Sequence, residues 1–255
     1  MKIEPFRPSH DRISGVSTPA EDADVETASA EYARRFDSPV GRWMIDKQLE
    51  ATLYLLRDKG PSTILDVGGG HGQTASALAR AGHRVTVLAS SAAAVAESLR
   101  PAIGSGLVRL VVGALREPPV EPRSFEVVLS YRLMAHAHDV PSLVAGLART
   151  AERTVIVDYV TSRSFNAAAD LLFAAKKRLE RNTRPFRVMR DAEIDHYFME
   201  SGCRRRDRHP EFFWPMALHR ALNSLALSKA LEAPAASLGL KRFLGSPVIA
   251  RFDRV

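Results

Sequence analysis

"ILDVGGGHGQTA", residues 64–75, decides the reading of this chain: an apolar run ends in a carboxylate, Asp66, and Gly68, Gly69, Gly70 and Gly72 follow it. Glycine permits turns that side chains forbid and lets a backbone approach a ligand closely. Upstream, "STILDV" has the apolar, β-branched pattern of a buried strand. Downstream, "QTASALARAG" reads as a helix with Gly82 as its C-terminal stop.

The unit repeats. "HRVTVLAS" reads as a second strand, "SAAAVAESLRPA" as a helix, "GLVRLVVGAL" and "SFEVVLSYR" as further strands, "VPSLVAGLARTA" as a helix and "RTVIVDYV" as a fifth strand. Strands alternating with helices predict an α/β fold with a doubly wound, mostly parallel sheet. "CRRRDRHPEFFWP" and "GSPVIARFDRV" bring the expected strands to seven. Ligands of such sheets lie at the carboxyl ends of the strands.

Outside the repeat the pattern changes. Residues 1–29 are rich in Ser, Thr, Asp, Glu and Pro without apolar periodicity, the composition of a flexible acidic arm. Residues 30–255 then form the main domain. From Trp43, the apolar residues Ile45, Leu49, Leu53 and Leu56 predict one buried helical stripe. A helical cap is expected from two insertions, about 163–188 and 211–244; "MALHRALNSLALSKAL" within the second reads as one amphipathic helix.

A chain of 255 residues with 45% hydrophobic content holds one core domain and an appended cap. The single cysteine, Cys203, excludes an internal disulfide and a cysteine-rich zinc site and fits a reducing compartment, so a cytoplasmic location is expected. No apolar run is long enough to span a membrane, and "MKIEPFRPSHDRISG" lacks the apolar core of a signal peptide. The net charge of +7 fits attraction to nucleic acid or anionic lipid, and equally an ordinary solubility charge.

Gly70, Gly72 and Ala75 satisfy a loose G-x-G-x-x-[GA] dinucleotide pattern. A carboxylate at the strand tip would repel a pyrophosphate there, whereas it would pair with the ammonium of an amino-acid moiety. "LDVGGGHG", with its preceding apolar residues, resembles the first motif of class I S-adenosylmethionine-dependent methyltransferases. "VTVLASS", "VVGALREPP" and "SFEVVLSYRLMAHAHD" stand where that family carries its next three, so the resemblance runs from about Tyr32 to Val160. It implies a Rossmann-like methyltransferase fold, S-adenosylmethionine as cofactor and, within the family, the group acting on quinones and other natural products. Two departures stand out. The acidic residue expected at the end of the second strand is Ala89, followed by Ser90 and Ser91, and the aspartate expected in the third motif is replaced by Gly113-Ala114. Each missing carboxylate removes roughly 1–3 kcal/mol of charge-assisted hydrogen bonding.

The resemblance assigns Asp66, Gly68, Gly69, Gly70, Gly72, Ser90, Ser91, Gly113, Ala114, Leu115, Ser130 and Tyr131 to the cofactor. His136, with His138 beside it, takes the position after the fourth strand that the family places over its acceptor, and histidine suits a general base. Tyr32, Phe36, Arg132, Phe213 and Trp214 are the acceptor-side candidates, although large apolar residues are also simply core. His71 reads as an outward-facing spacer; no second histidine or cysteine stands at ligand spacing, so no metal is expected. The implied reaction is methyl transfer to an oxygen or carbon of a small, apolar acceptor. No nucleic-acid partner is expected, since no stacking motif accompanies the charge. The basic residues of 176–190 and 204–208 fit phosphate, peripheral contact with an anionic membrane, or a solvated face. Three other readings remain at this point: an RNA methyltransferase, a non-catalytic relative, and an NADP-binding oxidoreductase, which the two serines after Ala89 would suit.

Overall fold

The computed structural model describes residue 24 and residues 36–164 and 187–255. Helix α1 (Pro39–Leu55) starts where Ser38 accepts the Gly41 amide at 3.0 Å and proline occupies the first turn. Then follow β1 (Thr63–Val67), α2 (Gln73–Arg80), β2 (Arg84–Ala89), α3 (Arg100–Gly104), β3 (Val108–Val112), β4 (Phe125–Ser130), α4 (Val140–Thr150) and β5 (Ala151–Thr161). The remainder is β6 (Val188–Met189), α5 (Asp191–Glu200), β7 (Cys203–Pro210), α6 (Met216–Leu222), α7 (Leu225–Ser237), α8 (Leu240–Leu244) and β8 (Val248–Arg254).

The sheet runs β3-β2-β1-β4-β5-β8-β7, and the short β6 pairs with β5, so among the described residues the strands number eight where seven were expected. β1 to β5 are mutually parallel; β8 is antiparallel to both β5 and β7. The carboxyl ends of β1, β4, β5 and β7 therefore lie along one edge. Each face carries its own core, one with Leu143, Leu147, Ile194 and Phe198 and the other with Ala51, Leu55, Leu78 and Leu99.

Three local expectations are corrected. α1 buries Val40, Trp43, Met44, Gln48, Thr52 and Leu55, while Leu53 is exposed. The helix is rotated from the apolar count because Trp43 packs edge-on to Phe212 and because two buried polar residues have partners across the cleft. Only a single 3-10 turn, Ala92–Ala94, and the short α3 form where a longer helix was expected. The expected helix through 216–231 is two helices, since Asn223 adopts φ +44° and Ser224 caps α7. Most of the first cap insertion lies outside the described residues.

Candidate active site

β1 delivers Asp66 to the carboxyl edge, 3% exposed, with no hydrogen bond reaching its carboxylate among the described residues. The glycine loop folds back over it. A Cβ at Gly69 would stand 2.2 Å from the Asp66 carboxyl carbon, and one at Gly70 would stand 1.8 Å from the Ala94 carbonyl oxygen. Gly68 and Gly72 hold φ near +70°, where only glycine is unstrained, and Gly72 starts α2. A cleft opens between this loop, the first residues of α2, and Tyr131 and Arg132 after β4. α1 walls it: Gln48 Nε2 donates to Thr74 Oγ1 at 3.2 Å, and Thr52 Oγ1 meets the Tyr131 hydroxyl at 2.7 Å.

Burial pushes the Asp66 carboxyl up to about 7, with the Arg132 guanidinium pulling it back. His71 turns inward to line the cleft, contrary to the outward spacer expected, and burial together with Arg132 lowers it to about 4. Arg132 has φ +63°, unusual without glycine, and its amide donates to Asp158 Oδ1 at 2.6 Å. Asp158, at the carboxyl end of β5, rises to about 6 through burial. Glu211, directly after β7, is 5% exposed, and burial beside Asp158 raises it well above the carboxylate range. Among the described residues its Oε1 has no hydrogen-bond partner. Asp66, Asp158 and Glu211 all act electrostatically on the buried Tyr131 hydroxyl. Among the described residues, no three His, Cys, Asp or Glu side chains converge to hold a metal ion.

The remaining candidates are spread more widely. Ser90 and Ser91 follow β2, and the Gly113 amide donates to the Ala89 carbonyl at 3.0 Å, placing the ends of β2 and β3 together. Ala114 is exposed, whereas Leu115 and Ser130 are buried. His136 is half-buried on the turn Met134–His136 and His138 is exposed; neither lines the cleft. Asp139 beside them caps α4 by accepting the Ser142 amide at 3.0 Å. The Phe36 ring lies 5.1 Å from the Arg132 guanidinium carbon, and Tyr32 lies outside the described residues. Phe213 and Trp214 are pinned by their amides to Glu232 at 3.0 and 2.9 Å, and neither lines the cleft.

Among the site residues that the sequence reading did not single out is a carboxylate from the N-terminal segment. Asp24, 1% exposed, accepts the Ser90 amide at 2.7 Å and the Ser90 hydroxyl at 2.5 Å. The end of β2 has no carboxylate of its own and receives one from the N-terminal segment. The only sequence signal was an excess of acidic residues in that segment with no local use for them.

Residues 65–156, from β1 to the middle of β5, match the family model described as a methyltransferase domain. The chain carries a methyltransferase domain. Its fold is that of solved methyltransferase structures, some of which hold S-adenosylmethionine or its product SAH. Among solved structures it is similar to magnesium protoporphyrin IX methyltransferase from Synechocystis PCC 6803 with bound SAH, at 13% identity over 92% of this chain and 99% of that one, TM-score 0.63. The PH0226 protein from Pyrococcus horikoshii OT3 gives 11% identity, coverage of 90% and 95%, and TM-score 0.62. Geranyl diphosphate methyltransferase in complex with GPP and sinefungin gives 17% identity, coverage of 82% and 78%, and TM-score 0.57. No curated protein matches the sequence. The site fits S-adenosylmethionine on two counts: a buried carboxylate at the strand tip that takes no hydrogen bond among the described residues, and a backbone cradle that a single Cβ would fill.

Proposed function

We propose that the enzyme methylates an oxygen or carbon of a small, largely apolar molecule. The observation that carries this reading is Asp66, buried with no hydrogen bond among the described residues under a loop whose glycines leave room for a ligand and for nothing bulkier. Two proteins of similar structure, a magnesium protoporphyrin IX methyltransferase and a geranyl diphosphate methyltransferase, favour a small-molecule acceptor over a nucleic acid.

When bound, the cofactor supplies a methyl group on a positively charged sulfur. Everything else falls to the chain. Asp66 holds the ammonium of the amino-acid end, and residues 68–72 carry the rest of that moiety on backbone. Asp24, through Ser90, offers at β2 the carboxylate that nucleotide-binding sheets use for ribose hydroxyls. Tyr131, Arg132 and α1 exclude water, so positioning and desolvation supply much of the rate. Asp158 and Glu211, neighbours of Tyr131 and Arg132, are carboxylates raised toward neutrality, which suits them to hold the proton an acceptor gives up.

The test is calorimetric titration with S-adenosylmethionine and S-adenosylhomocysteine across pH, with NADPH as control, followed by an acceptor screen read by mass spectrometry. Because Asp66 ionises near 7 in the free enzyme, affinity should fall about tenfold per pH unit below that point. It should fall again above about 8, where the α-amino group of the ligand loses its charge. Binding of NADPH alone, or a flat pH profile, would overturn the reading. Asp24→Ala should weaken cofactor binding about tenfold, the worth of one charge-assisted hydrogen bond, with little change in melting temperature. Unchanged affinity in that variant would remove Asp24 from the site.

A further inference from the structure

The face that α7 and α8 turn to solvent is more apolar than the stripe α7 turns inward. Inward, α7 buries Ser228, Glu232 and Ala235, and Glu232 accepts the Phe213 and Trp214 amides and meets His219 Nε2 at 3.0 Å. Outward stand Ala226, Leu227, Ala230, Ala233 and Ala236, with Lys229 among them. Gly239, at φ +69°, turns the chain into α8, and the apolar surface continues. Leu238 is 73% exposed, Phe243 64% and Leu227 55%. An amphipathic helix in water shows the reverse arrangement.

Charge narrows what covers this elbow. Residues 216–245 hold Arg220, Lys229, Lys241 and Arg242 against a single carboxylate, Glu232, which is buried. Within these residues the elbow therefore presents leucine, phenylalanine and cations with no exposed anion; from outside them the exposed Glu50 of α1 acts on Lys241. A second copy of the chain packed symmetrically on it would bring both copies' Lys229 and Arg242 into one interface, with no exposed acid from residues 216–245 to pair with them. An anionic bilayer takes both features at once, the apolar side chains entering the headgroup boundary and the cations meeting lipid phosphates.

We propose that the α7–α8 elbow docks the enzyme on the surface of an anionic membrane. The docking does not depend on the methyltransferase chemistry, yet it has a consequence for it. Glu232 ties α7 to residues 213–214 just beyond the carboxyl end of β7, and α7 also packs on α1, the wall of the cleft. A docked enzyme holds the cleft's edge of the sheet near the bilayer, where apolar acceptors partition.

The test is co-sedimentation of the full chain with vesicles of phosphatidylcholine alone and with about 30% phosphatidylglycerol added. Partitioning onto the anionic vesicles should exceed that onto neutral ones at least about tenfold and weaken with salt. The double variant Leu238→Asp, Phe243→Asp should lose about tenfold or more, while Lys229→Gln with Arg242→Gln should lose the preference for anionic lipid. All four residues are exposed, so folding is unaffected, which a thermal melt checks. Failure to sediment with anionic vesicles, full binding by the aspartate variant, or a dimer that this variant dissociates would each overturn the proposal.

Discussion

Asp66→Asn should bind S-adenosylmethionine at least about 30-fold more weakly than the wild-type enzyme and yet melt at a higher temperature. The loss of affinity follows from removing one partner of a buried ammonium-carboxylate pair, typically 2–5 kcal/mol. The gain in stability has a different origin. In the folded, ligand-free enzyme burial raises the Asp66 carboxyl from 3.8 to about 7, so the folded state binds that proton more tightly than the unfolded chain does. Stability from this group is complete below the unfolded value and is lost as pH rises through the window up to about 7. At pH 8 the cost is on the order of 2–4 kcal/mol, which asparagine avoids. Each kcal/mol is worth about 2–4 °C at this size, so the variant should melt several degrees higher. Calorimetric melts at several pH values check it: the difference between the proteins should widen from pH 5 to pH 8. A variant that binds normally, or one that melts lower at every pH, would remove Asp66 from the place given to it.

Gly70→Ala should abolish cofactor binding by a separate route. Its Cβ would stand 1.8 Å from the Ala94 carbonyl oxygen, a backbone atom that cannot rotate away, and the Gly70 carbonyl itself accepts the Ala96 amide at 2.9 Å. The loop must move bodily, which loosens its cover over Asp66 and costs about 1–3 kcal/mol of stability through overpacking. Affinity should fall about 100-fold or more, since a cradle displaced by an ångström no longer meets its ligand. Gly82→Ala is the control, because Gly82 has φ +97° and open space where its Cβ would go. It should lose about 1 kcal/mol to backbone strain and keep normal affinity, both read from one set of melts and titrations. Equal affinities in the two variants would show that the loop's fit over Asp66 is immaterial.

The parts of the fold that were legible in the sequence are those written locally. Strand, glycine turn and helix announce themselves within twelve residues around Asp66, and the alternation through residue 160 carries most of the sheet. What stayed hidden depends on contacts between distant segments. Gln48 and Thr52 look like misplaced polar residues in a helical stripe until Thr74 and Tyr131 stand opposite them. Asp24 reaches Ser90 across 66 positions. Glu211 gains its character only because burial separates it from water and β8 brings β7 near β5. His71 misled for the same reason: spacing tells nothing of the side a loop residue faces.

The placement of β8 has a bearing on how the chain is made. β7 precedes β8 in synthesis, yet among the described strands β8 is its one partner and lies between it and β5. Until residues 248–254 have left the ribosome, β5 keeps an open edge and β7 has nothing to pair with. The nascent chain thus completes its cofactor loop early and its sheet late, and during that interval the unpaired edge is the part of the molecule most in need of a chaperone.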